Sequence, residues 1–213
     1  MKPVYTFAFL LALGLTSCQK KDIVPVSPAT TKEKELLYSK FHGKYKIISS
    51  VSSEPLDVNL DGTASNNMLE EMQELTYGNN QQYSVELRIY KGTSSSSSNK
   101  SNYLFTQWWP EQYINVGSGV EWNGGDFLDY NPKLSVSYLM QGTVRTFDFL
   151  EDLSRISVNA ESNENPYRWV KPSSITISKD GRLTVVNKRH IYTKAGVKEV
   201  TITTVYERYT MTM

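Results

Sequence analysis

A period of two dominates this chain and restricts it to β-structure. Across residues 83–90, Tyr83, Val85, Leu87 and Ile89 fall on one face, and Ser84, Glu86 and Arg88 fall on the other. The same alternation runs through Tyr45, Ile47, Ser49 and Val51, through Leu134, Val136, Tyr138 and Met140, and through Ile156, Val158 and Ala160. It returns at Val200, Ile202 and Tyr206. Side chains of a strand point alternately to opposite faces, so each segment reads as a strand with one buried side. Further strands are predicted over 101–109, 112–122, 133–140, 144–150, 154–160, 173–179, 182–193 and 197–210. Gln141-Gly142, Asp180-Gly181 and Ala195-Gly196 read as hairpin turns between them. The serine run Ser94–Ser98 reads as an exposed loop tip.

Only two short helices interrupt the pattern. Thr30 followed by Glu33 fits a capping box, Leu37 and Phe41 share one face, and Gly43 ends the segment, which predicts a helix near 33–42. A second is predicted near 66–73. About ten closely spaced strands predict an antiparallel, up-and-down, all-β domain. Closing such a sheet into a barrel of about 8–10 strands removes the exposed edges that invite aggregation; an open sandwich is the alternative.

The N-terminus carries a different message. Met1-Lys2 precedes an apolar run from Val4 to Leu15, which is the pattern of an export signal and too short to cross a bilayer. The tetrad Leu15-Thr16-Ser17-Cys18 resembles the bacterial lipobox, and Cys18 is the only cysteine. That resemblance implies cleavage before Cys18, a diacylglycerol on its thiol and an acyl chain such as palmitate on its new amine. Two or more chains would anchor the protein stably, as one would not. Gln19, where inner-membrane lipoproteins often carry Asp, implies the outer membrane, and the basic Lys20-Lys21 favours a periplasm-facing anchor over surface display. The expected organisation is a signal peptide over 1–17, a lipidated tether over 18–34 and one barrel domain over 35–213. Removing the signal peptide would leave 196 of the 213 residues, with 22 basic against 22 acidic side chains, because Lys2 is its only charged residue. Zero net charge gives no field for nucleic acid.

Gly43-Lys44-Tyr45 opens the first strand directly after a short helix. Lipocalins open their barrel with Gly-x-Trp in this setting, and the chain resembles the lipocalin-like lipoproteins of Gram-negative bacteria with Tyr in place of Trp. The resemblance implies that Arg208, near the end of the last strand, stacks on Tyr45 to close the barrel. It also implies a lumen for a small apolar or amphipathic ligand, with Tyr45, Tyr83, Val85 and Leu87 as candidate walls. The alternative is a carbohydrate- or protein-binding module that uses a surface aromatic patch at Trp108 and Trp122. Trp108 and Trp109 are adjacent, so at most one of them can face the core in a regular strand.

Asp57, Asn59 and Asp61 place oxygen donors at alternate positions, Gly62 permits a sharp turn and the Thr63 carbonyl follows, as in the first half of a Ca²⁺ loop. The twelfth position is Met68, where such a loop needs a carboxylate, so the competing reading is an Asx-rich turn that caps the second helix. Catalysis has no positive signal. His42 and His190 are the only histidines, the single thiol is assigned to lipid, and neither a nucleophile elbow nor a phosphate loop occurs. The chain is expected not to be an enzyme.

Overall fold

A computed structural model of the chain describes residues 30–76, 85–92, 103–150, 154–159 and 164–213. The lipobox, Tyr83, the serine run and Ala160 lie outside the described residues. The elements are α1 (Thr31–Phe41), β1 (Gly43–Leu56), β2 (Ser65–Asn67), α2 (Met68–Glu71), a 3₁₀ turn (Gln73–Leu75), β3 (Glu86–Lys91), β4 (Tyr103–Gly117), β5 (Val120–Glu121), β6 (Val136–Phe149), β7 (Arg155–Val158), β8 (Ser174–Ile177), β9 (Leu183–Thr193) and β10 (Gly196–Thr210).

Neighbouring strands pair antiparallel from β3 through β4, β6, β7, β8 and β9 to β10, and β1 pairs with both β3 and β10. This closes an eight-stranded barrel, with β2 and β5 as short appendages on β1 and β4. The hairpins at Asp180-Gly181 and Ala195-Gly196 form where expected, with both glycines at positive φ. The capping box also forms: Thr30 Oγ1 accepts from the Glu33 amide, and the Glu33 carboxylate accepts from the Thr30 amide.

Three sequence expectations are corrected. Gln141-Gly142 is not a turn but lies inside β6, paired with Trp109 and Trp108 of β4. A Cβ on Gly142 would stand 3.0 Å from the Trp108 ring, so the glycine serves to admit the indole. Pro110 does not split β4. The β3–β4 ladder ends at the Leu87–Gln107 pair, so among the described residues Pro110 pairs with β6 on one side only, where a missing N–H is tolerated. Finally, β1 does not keep Tyr45 and Val51 on one face. A register shift against β10 between Ile47 and Ser49 flips the pleat, so Val51 faces solvent while Ser50 and Ser52 are buried. The inward Ser50 hydroxyl is satisfied by Thr204 Oγ1 at 3.0 Å.

Two apolar clusters fill the barrel. The lower one gathers Tyr45, Leu87, Phe105, Phe147 and Tyr206 and is plugged by Tyr38 and Phe41 of α1. Each fully buried phenylalanine here contributes about 1.5–3 kcal/mol. Tyr38 also donates to the Phe147 carbonyl and stacks on Tyr103, which locks the helix across the barrel end. The upper cluster joins Trp109, Ile191, Val200 and Ile202 to Met68, Met72 and Leu75 of the α2 segment. A third, smaller cluster packs Ile114, Trp122 and Tyr192 against the loop near Leu128 and Tyr130.

Candidate functional site

Between the two apolar clusters the inward phase of the strands turns polar. On β4 the phase reads Phe105, Gln107, Trp109, Glu111; on β9 it reads Leu183, Val185, Asn187, Arg189, Ile191; on β6, Thr143 and Arg145 precede Phe147. Gln107, Asn187, Arg189, Arg145 and Trp109 are each 1–4% exposed. The Gln107 amide nitrogen donates to Asn187 Oδ1 at 3.1 Å and to the Tyr206 hydroxyl at 3.0 Å, which joins β4 to β9 and β10 across the interior. Arg189 pairs with Glu111 and lies over the Trp109 ring, 4.3 Å from its centroid. Arg145 pairs with Glu164 and donates to the Trp169 carbonyl, both from the segment between β7 and β8.

Burial sets the ionisation of this belt. It pushes the Glu111 carboxyl above the usual carboxylate range, opposed by the charges of Arg189 and Arg168. It pushes the Tyr206 hydroxyl up to about 12, opposed by the hydrogen bond from Gln107. Several belt atoms have no hydrogen-bond partner: Arg145 Nε and Nη1, Arg189 Nε, Trp109 Nε1, Asn187 Nδ2 and Gln107 Oε1. Buried polar atoms are normally paired, so this concentration marks the belt as chemically unfinished.

None of these residues was a candidate from sequence except Trp109, and that only through its neighbour. The signal was present, since Asn187 and Arg189 fall in phase with Leu183, Val185 and Ile191, and Gln107 and Glu111 fall in phase with Phe105 and Trp109. Polar residues in the apolar phase of a strand are the mark of a polar interior layer.

The predicted site residues fall in several places. Tyr45 and Leu87 are register partners, fully buried in the lower cluster, and Val85 is buried in the upper one. Tyr45 and Arg208 do face each other, on β1 and β10. Arg208 hydrogen-bonds the Tyr45 side chain and also donates to the Lys40 and His42 carbonyls at the C-terminal end of α1. Tyr45 donates to the Phe41 carbonyl at 2.7 Å, and burial holds its hydroxyl up at about 12. Gly43 earns its place beside them, because a Cβ there would lie 2.4 Å from the Thr210 carbonyl oxygen.

Of the two surface aromatic candidates, Trp122 is corrected. Trp122 is 5% exposed, donates to the Asp126 carbonyl and is covered by the Arg168 guanidinium, which also bonds its carbonyl. Trp108 is half-buried over Gly142, while its neighbour Trp109 takes the core position.

In the Asp57–Thr63 loop most side-chain oxygens serve the turn itself, while Asp57 Oδ1 is buried without a hydrogen-bond partner. Asp57 accepts from the Gly62 amide, Asn59 from the Asp61 amide and Asp61 from the Thr63 amide, at 2.7–3.0 Å. Asn67 caps α2 by accepting from the Leu69 amide. Among the described residues no three His, Cys, Asp or Glu side chains come together as a metal set. Three open surface clefts of about 380, 470 and 530 Å³ lie at the α1 end, along β7–β8 and beside the 127–134 loop, and belt residues line none of them.

Fold and site together define a closed eight-stranded antiparallel barrel with a buried polar belt. No protein-family model, curated protein or solved structure matches the chain.

Proposed function

We propose that this chain is a lipid-anchored envelope protein whose lipocalin-like barrel binds a small amphipathic molecule. The observation that carries the reading is the layering of the interior, apolar then polar then apolar along one barrel. A ligand with an apolar body and a polar head has the same order of surfaces, so it can replace interior contacts in kind. The role is binding rather than catalysis.

Anchoring supplies the context. Cys18 carries the lipid, in the outer membrane and facing the periplasm. Eleven residues lie between Cys18 and Thr30, a reach of at most about 43 Å. The tether leads into α1, which plugs the lower end of the barrel.

Native mass spectrometry of protein purified from its own host tests both halves. The expected spectrum shows a mature chain beginning at an acylated Cys18 and retaining a small molecule. An unmodified Cys18 overturns the anchor, and a ligand-free mass at every step of purification overturns the binding role.

A further inference from the structure

We infer that the α1 end of the barrel is a lipid-docking face, which rests on a bilayer that carries anionic head groups. This goes beyond the anchored reading, which brings the chain to a membrane but leaves the barrel free to take any orientation on its tether.

The outward side of α1 carries the first observation. Lys32, Leu36 and Lys40 recur at i, i+4 and i+8, so they form one stripe on the helix, while Tyr38 and Phe41 plug the barrel from another side. Leu36 is 72% exposed, and Met211 and Met213, at the end of the chain, are 56% and 45% exposed. Met211 lies beside the start of β1, its Cα 3.3 Å from where a Cβ on Gly43 would stand. Apolar side chains set among cations match the boundary between acyl chains and head groups, where lysine stems cover apolar surface and their charges reach outward.

An open cleft of about 380 Å³ adjoins the stripe, and Lys40, Lys179, Arg182 and Arg208 line it with Asp180 and Glu207. Arg182 answers both acids, at 3.3 and 3.5 Å. Lys40 lies over the Phe41 ring and Arg208 bonds backbone carbonyls, so among the described residues neither they nor Lys179 meet a carboxylate. The acids of α1 are engaged elsewhere: Glu33 in the capping box, and Glu35 as acceptor from the Tyr103 hydroxyl. Lipid phosphates supply the missing counter-charge, and each cation close to an anionic bilayer strengthens binding by about fivefold.

The opposite end is charged the other way. β1 runs away from α1, and the stretch 54–74 at its far end carries Glu54, Asp57, Asp61, Glu70, Glu71 and Glu74 without one Lys or Arg. Lys198 pairs with Glu54 at 3.3 Å and Lys194 approaches Gly62, which offsets the stretch only in part. An anionic surface repels this end and attracts the other, so a chain of formal net charge +1 still acquires an orientation.

The test places a dye at either end of the acylated mature protein and reads energy transfer to a head-group acceptor in the bilayer. Thr212→Cys marks the α1 end and Ala64→Cys the far end. Both positions are exposed, and acylation of Cys18, the only native cysteine, leaves each as the sole free thiol. The protein is added to vesicles of phosphatidylcholine alone or with about one-third phosphatidylglycerol. Transfer from Thr212→Cys should rise about twofold with the anionic lipid and fall back at high salt, while transfer from Ala64→Cys does not rise. Lys40→Gln with Lys179→Gln should lower the ratio of docked to undocked protein by about 25-fold. Transfer that ignores lipid charge at both positions, or that rises at Ala64→Cys, overturns the docking face and leaves the acyl anchor standing. Protein that floats with anionic but not neutral vesicles, and transfers most from Thr212→Cys, overturns the anchor and upholds the docking face. Protein that floats with neither overturns both.

Discussion

The lower end of the barrel and the belt above it use the same strands to solve burial in opposite ways. Below, β4, β6 and β9 offer Phe105, Phe147 and Leu183, and α1 completes the packing with two aromatic rings and a hydrogen bond from Tyr38 to a strand carbonyl. Two residues further along, the same strands offer Gln107, Arg145 and Val185, then Trp109, Thr143 and Asn187. The lower region is held by area removed from water. The belt places two guanidiniums and a carboxyl where desolvation is costly and leaves donors unpaired. A chain selected for stability alone would extend the lower pattern upwards, and the belt departs from that pattern.

The largest predicted effects separate the two regions by their response to a second mutation. Arg189→Met strands Glu111 as a buried, unpaired carboxyl and should cost about 3–5 kcal/mol in urea unfolding. Removing the partner as well, in Arg189→Met with Glu111→Leu, should recover most of that loss. Phe147→Ala in the lower region should cost a similar amount, about 3–5 kcal/mol, through the cavity it leaves. No polar substitution nearby should rescue it. Equal rescue in both regions would erase the contrast.

An intermediate effect concerns alkaline pH. The Tyr206 hydroxyl is held at about 12 in the folded protein, against 10.0 ordinarily. A raised folded value means that its contribution is complete below pH 10 and is lost as pH rises from 10 towards 12. The loss amounts to about 2–3 kcal/mol over that window. Urea midpoints measured from pH 9 to 11 should therefore fall more steeply in the wild type than in Tyr206→Phe, and parallel slopes would contradict the burial of this hydroxyl.

The smallest effect tests the edge of the lower region. Thr30→Ala removes the side-chain half of the α1 capping box and should cost about 0.5–1 kcal/mol, because α1 is held chiefly by Tyr38 and Phe41. A loss above about 2 kcal/mol in urea unfolding would show that the helix, not its packing, sets the stability of the plug.

Much of the barrel was legible because strand period, turn chemistry and capping are local properties. The alternation over the described residues 85–90, the two glycine hairpins near 181 and 196 and the Thr30–Glu33 cap all depend on residues within a few positions of one another. What escaped depends on neighbours distant in the chain. The flip of β1 after Ile47 is decided by its register with β10, some 150 residues away. The role of Gly142 is decided by Trp108, and the tolerance of Pro110 by where β3 stops. Trp122 looks like a surface ring until Arg168 arrives from another loop to cover it. The belt lies between these cases: its phase could be read on each strand, but only barrel closure brings Gln107, Asn187 and Tyr206 within hydrogen-bond distance.

The central contrast, an interior layer kept polar at a cost in stability, is tested most directly by replacing the whole hydrogen-bonded network with apolar groups of similar size. In Gln107→Leu/Asn187→Leu/Tyr206→Phe, urea unfolding is measured beside the wild type. Removing every partner at once leaves no stranded polar atom within that network, so the urea midpoint should hold or rise. A variant that loses more than about 2 kcal/mol would show that the polar layer serves the fold.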